Sequence, residues 1–100
     1  MSTEEEIDHA VSLFPGNYPL ALLHCNSSYP CYDEDINLDY MNILRKKYPN
    51  NSIGYSGHEI GIFPTLLAAA MGADMIERHI TYDCSALGSD HKCSLDYSMM

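Results

Sequence analysis

The sequence is poor in cations: five Lys and Arg stand against fourteen Asp and Glu, for a net charge of −9. That balance argues against nucleic acid and anionic membrane as partners, since both reward basic surfaces. It leaves an anionic small molecule open, because the local field of a site can oppose the net charge. No apolar run approaches the roughly 20 residues that a membrane span requires. The N-terminus, Met-Ser-Thr-Glu-Glu-Glu, lacks the charged-then-apolar pattern of a secretory signal, so a cytoplasmic protein is expected. The four cysteines (Cys25, Cys31, Cys84 and Cys93) form no C-x-x-C pair, which argues against a cysteine zinc site and, with the absent signal, for free thiols.

What is present is an ordinary globular composition, 46% hydrophobic over 100 residues, enough for one small domain. A hydroxyl cap at Ser2 or Thr3 followed by Glu4-Glu5-Glu6 predicts a helix over about Thr3–Leu13, stopped by Pro15-Gly16-Asn17. Leu20–Cys25 reads as a strand apolar on both faces, as a parallel sheet requires, with Asn26–Pro30 the loop leaving it. A helix over Leu38–Tyr48 carries Arg45-Lys46-Lys47 in its last turn, where cations suit the helix dipole. Strands over Ser52–Ser56 and Asp74–Ile80 flank a nearly all-apolar helix, Phe63–Met71, with Pro64 in its first turn. Asp83–Cys93 is expected to be a loop, and Ser94 onward the start of a helix. Helix, strand, helix, strand, helix, strand is the order of parallel βα units. Three such units make a patch of sheet rather than a closed barrel, and the first helix has no preceding strand to pack on. The chain is therefore expected to be a slice of something larger.

The chemistry gathers at the strand ends. Alternation places Gly54, Ser56 and His58 on one face of the second strand, and Met75, Glu77 and His79 on one face of the third. Arg78 points the other way, to the helical layer or to solvent. Neighbouring strands lie about 4.8 Å apart, so His58 and His79 can reach one ion, and imidazole with water and substrate oxygens suits a divalent metal. The competing reading is two unrelated histidines bonded to backbone. Asn26-Ser27-Ser28 and Ser56 offer short donors that with backbone N–H groups could hold a phosphate or carboxylate, or are simply turn residues. Asp90-His91-Lys92 is a compact acid, base and cation cluster or a solvated loop. His9 and His24 are given no role.

Four stretches taken together carry a family likeness: Leu-Leu-His-Cys-Asn-Ser-Ser-Tyr-Pro (22–30), Ile-Gly-Tyr-Ser-Gly-His-Glu-Ile-Gly (53–61), Ile-Glu-Arg-His-Ile-Thr (76–81) and Gly-Ser-Asp-His-Lys-Cys-Ser-Leu (88–95). In order and spacing they resemble the N-acetylneuraminate (sialic acid) synthase family. The resemblance implies an α/β fold, specifically a partial (β/α)8 TIM barrel. Residues 1–100 would be the C-terminal portion of the barrel domain, about the last three βα units, without the antifreeze-like domain that follows it in the family. It implies a metal-dependent condensation of phosphoenolpyruvate with N-acetylmannosamine or its 6-phosphate. By the same resemblance His58 and His79 are the metal ligands, for Mn2+ with Mg2+ or Co2+ as alternatives. Ser27 and Ser56 contact the phosphoenolpyruvate phosphate, Tyr29 and Asp90 lie beside the sugar, and Glu77 is the acidic catalytic residue. Family members are homodimers.

Gly57-His58-Glu59 and Gly88-Ser89-Asp90 look closer to the animal type of the family, whereas Lys92 looks bacterial. The family's lysines on earlier strands and its first-strand glutamate have no counterpart in these 100 residues, so the chain alone is expected to be inactive. The alternative is a non-catalytic truncated piece that at most binds metal or associates with complementary barrel strands.

Overall fold

A computed structural model of the chain describes residues 1–16 and 18–100; of the expected Pro15-Gly16-Asn17 stop, Asn17 lies outside the described residues. Three strands, β1 (Ala21–Cys25), β2 (Ser52–Gly57) and β3 (Ile76–Arg78), form one parallel sheet in the order β1-β2-β3. Three helices alternate with them: α1 (Glu4–Ser12), α2 (Tyr40–Lys47) and α3 (Phe63–Ala70). Short 3₁₀ turns sit at Asp33–Asp35 and His91–Cys93. The class is α/β, as expected.

Each helix forms for local reasons. Thr3 closes a capping box on α1: the Glu6 N–H donates to Thr3 Oγ1 (3.3 Å), and the Thr3 N–H donates to Glu6 Oε2 (2.7 Å). The helix lays half-buried Ile7 against the core and is tied to α2 by Lys47, which bridges Glu4 (3.2 Å) and Asp8 (2.9 Å), and by Tyr48 Oη, which donates to Asp8 (2.6 Å). Pro64 starts α3 where a missing N–H is harmless, and Gly72, at φ +83°, turns the chain out of it.

Register sorts the side chains. Leu22 pairs with Ile53 and His24 with Tyr55, and these positions face the helices. There Ile53, Tyr55, Met41, Leu44 and Ala68 form the core, all buried. His24 belongs to this layer too, its Nε2–H donating to the Ile36 carbonyl (2.6 Å). On the other face Cys25, Ser56 and Glu77 stand in one row across all three strands. Behind that row, Gly54 is where Leu23 and the Met75 backbone close in, and a Cβ there would overlap both. All four cysteines are free thiols. Burial pushes the Cys31 and Cys93 thiols up from their ordinary pKa, which makes them inert at neutral pH.

Two expectations are corrected. The third strand is three residues long rather than Asp74–Ile80. Asp74 instead spends its carboxylate on the Ile53 N–H (2.8 Å), and β2 turns away after Gly57, which leaves residues beyond Arg78 no strand to pair with. No helix begins at Ser94. That residue is extended, its hydroxyl donates back to the Asp90 carbonyl (2.7 Å), and Leu95 bridges to Ile80. The Ser94 hydroxyl thus closes the turn behind it.

Candidate functional site

The site lies at the C-terminal ends of the strands, where the row Cys25–Ser56–Glu77 gives way to His58 and His79. These two imidazoles meet edge to face with ring centroids 5.2 Å apart. Tyr29, from the loop after β1, stacks on His58 at 4.0 Å and presents its edge to His79 at 5.5 Å. The loop is pinned there by backbone, since the Cys31 N–H donates to the His58 carbonyl (2.8 Å).

The His58 ring is oriented by a bond of its own. Its Nδ1 lies 2.7 Å from the Asn26 carbonyl and 3.8 Å from Cys25 Sγ. The single Nδ1 proton goes to the closer, harder acceptor, so Nε2 keeps its lone pair. A ligating histidine needs this tautomer, with a carbonyl behind the ring and a free nitrogen in front. The His79 Nδ1 faces Asp90 Oδ2 at 3.8 Å, too long for a hydrogen bond but close enough to favour the same ring setting.

Ser56 and Glu77 are register partners, and the Ser56 hydroxyl donates to Glu77 Oε1 at 2.7 Å. A phosphate at Ser56 would compete with Glu77 for that one proton. Asp90 accepts from the Ser89 hydroxyl (2.6 Å), and its carbonyl anchors the turn through Cys93 and Ser94. Ser27 is the predicted residue that stands apart. It is exposed and lines a cleft of about 640 Å³ along the free edge of β1, shared with Leu23, His24, Cys25 and Tyr40. The structure thus brings His58, His79, Tyr29, Ser56, Glu77 and Asp90 together, and among the described residues no side-chain hydrogen bond ties Ser27 to them.

Among the described residues no third His, Cys, Asp or Glu completes a metal-holding cluster. Two imidazoles, His58 buried against Tyr29 and His79 half-buried, fit an ion whose remaining ligands are water and substrate oxygens. They do not fit a closed structural zinc site.

Directly behind the site is a network that sequence reasoning left unassigned. Glu59, fully buried, accepts from Arg78 Nη1 (2.8 Å), Thr65 Oγ1 (2.6 Å) and Tyr55 Oη (2.8 Å). Arg78 donates further to the carbonyls of Glu59 (2.9 Å), Gly61 (3.0 Å) and Cys93 (3.0 Å). Burial first, then the bond to Glu59, raises the Tyr55 phenol far above its ordinary pKa and keeps it protonated. The parity that puts His58 and His79 on one face puts Glu59 and Arg78 on the other, and opposite charges on that one face were the available signal.

An open parallel sheet with helical crossovers, carrying imidazoles, carboxylates and hydroxyls at its strand ends, defines part of a (β/α)8 barrel of the enzyme type. Comparison with known proteins narrows the class. The chain belongs to the NeuB family, whose model matches residues 1–100. It is 43% identical over 98 residues to N-acetylneuraminate-9-phosphate synthase of Drosophila melanogaster, and 43% identical over 96 residues to the Homo sapiens protein of that name. Each match covers 96% of this chain and 26% of the relative, so the chain spans about a quarter of their length. The N-acetylneuraminic acid (sialic acid) synthetase of Leptospira borgpetersenii, solved with citrate, superposes with a TM-score of 0.92 at 42% identity. That match covers 99% of this chain and 35% of the other.

Proposed function

We propose that residues 1–100 are the C-terminal portion of the barrel domain of a longer synthase. That enzyme condenses phosphoenolpyruvate with N-acetylmannosamine or its 6-phosphate to a sialic acid-type product. The observation that supports this reading, beside family membership, is the convergence of His58 and His79 at 5.2 Å with Tyr29 stacked on His58.

In this reading His58, through Nε2, and His79 hold a divalent cation, Mn2+ before Mg2+ or Co2+. The cation supplies Lewis acidity toward the open-chain sugar aldehyde that carbon 3 of phosphoenolpyruvate attacks. Tyr29 and Asp90 flank the sugar, with the Asp90 carboxylate accepting from its hydroxyls. Ser56 donates to the phosphate by turning its proton away from Glu77, and Ser27 reaches it from the β1-edge cleft that Cys25 also lines. Glu77, so released, orients and deprotonates the water that adds at carbon 2, and phosphate then leaves by C–O cleavage. The parent enzyme would be a cytoplasmic homodimer; no helix of the described residues is long and apolar enough to cross a membrane. Phe63, Leu66, Met75 and Ile76 are exposed apolar groups on α3 and the β3 edge. They favour association with further barrel elements, so the 100 residues alone would bind metal without turnover.

Calorimetric titration with Mn2+ tests the reading. The wild-type protein is expected to bind in the micromolar range, and His58→Ala and His79→Ala each to abolish binding while remaining folded. Soluble, folded wild-type protein that takes up no Mn2+ would overturn it.

A further inference from the structure

The ladder between β2 and β3 ends at the pair Gly57 and Arg78, one residue before each histidine. The His58 carbonyl accepts from Cys31, and the His79 carbonyl from Leu95 (2.8 Å each), so both backbones are held by loops rather than by one another. Among the described residues, the tie that crosses between the two strands at this level is Arg78. It grips the carboxylate of Glu59 at 2.8 Å and its carbonyl at 2.9 Å. Thr65 closes the triangle, donating to Glu59 and accepting from Arg78 (2.7 Å), which fastens both to the first turn of α3. Gly57 makes room for the crossing. A Cβ there would overlap the Glu59 carboxylate, and would lie 2.7 Å from the Tyr55 ring and 3.0 Å from Arg78 Cδ.

We propose that Glu59 and Arg78 are a positioning pair. By clamping the residue after His58 to the residue before His79, they fix the spacing and orientation of the two imidazoles on the opposite face. Neither side chain touches the substrate space. The pair acts through the backbone, as outer residues that orient the ligands themselves. The consequence for metal affinity rests on the function proposed above; the placement of the rings does not.

The test uses Glu59→Gln, which keeps shape and loses charge, and Thr65→Val, which removes the bridging hydroxyl. Ala68→Gly, in the core of α3 and making none of the pair's bonds, is the control for mere destabilisation. The first readout needs no metal: long-range ¹H–¹⁵N spectra of the imidazoles in the neutral state. Both variants are expected to move the His58 and His79 ring signals, and Ala68→Gly to leave them in place. The second is Mn2+ titration, where affinity is expected to fall about ten-fold in the two variants and to hold in the control. Ring signals unmoved in both folded variants, or moved equally by Ala68→Gly, would overturn the pair's role. Should Glu59→Gln not fold, Thr65→Val decides alone. Moved rings in a wild-type protein that binds no Mn2+ would support the positioning pair and sink only the metal reading.

Discussion

The two faces of the β2 and β3 ends are built from alternate residues of the same two short runs, yet they are opposites. On the helical side Glu59 is 0% exposed and the Arg78 side chain 4%, and the two share a carboxylate, a hydroxyl, a phenol and three carbonyls. On the other side Ser56 and His58 are buried, but the His79 side chain is 35% exposed, Glu77 is exposed, and Asp90 meets His79 only at 3.8 Å. One face spends nearly every donor and acceptor internally, and among the described residues Arg78 Nε is its one unpaired buried side-chain nitrogen or oxygen. The other withholds an imidazole nitrogen, a carboxylate oxygen and an edge of aromatic ring. Rigidity and reactivity are thus separated by one step along the chain, and a site that must hold small molecules in place gains from having its bonded side directly behind it.

If that contrast is right, the largest effect comes from breaking the closed face. Arg78→Met leaves Glu59 buried without a counter-charge and should cost about 3–5 kcal/mol in chemical denaturation. Adding Glu59→Leu should recover part of the loss, because the stranded charge leaves with its partner. A loss under about 1 kcal/mol for Arg78→Met would mean the face is not sealed. On the open face the comparable deletion is mild. Ser56→Ala removes one hydrogen bond to a carboxylate that water can reach, and a cost of about 1 kcal/mol is expected in the same measurement. A Ser56→Ala penalty as large as that of Arg78→Met would erase the distinction between the faces.

Much of the open face was legible because strand alternation is local. Given the strand ends, parity alone sends Ser56, His58, Glu77 and His79 to one side, and the apolar runs mark the strands. The family likeness then supplied roles that parity could not. The closed face was less legible, although its parity was visible. Parity leaves Arg78 facing either the helical layer or solvent, and what decides between them is the turn through Glu59–Gly61 and the Cys93 carbonyl, both set by tertiary packing. The same limit explains Ser94, whose hydroxyl bonds back to Asp90 and whose neighbour Leu95 bridges to Ile80, partners set by tertiary packing rather than by the sequence ahead. Ser27 shows the limit from the other direction. A serine just beyond a strand end lies close to the site in sequence terms, but the loop carries Tyr29 inward and leaves Ser27 at the cleft on the β1 edge.

The smallest expected effect lies farthest from either face, where α1 meets α2. The Tyr48 hydroxyl, and after it the Lys47 ammonium, donate to Asp8 and hold its carboxyl below the ordinary aspartate pKa. A folded-state pKa depressed in this way contributes stability that is present above the unfolded value and lost as pH falls through the folded one. Docking of α1 should therefore loosen from about pH 4 downward while the sheet persists. Amide exchange of the α1 residues, followed against pH, would show protection falling in that window. Asp8→Asn should flatten the dependence without changing exchange in β2. Because Asp8 is exposed, added salt should shrink the effect further. Were β2 to lose protection together with α1, the helix would be part of the same cooperative unit as the sheet that carries the histidines, rather than a surface element attached to it.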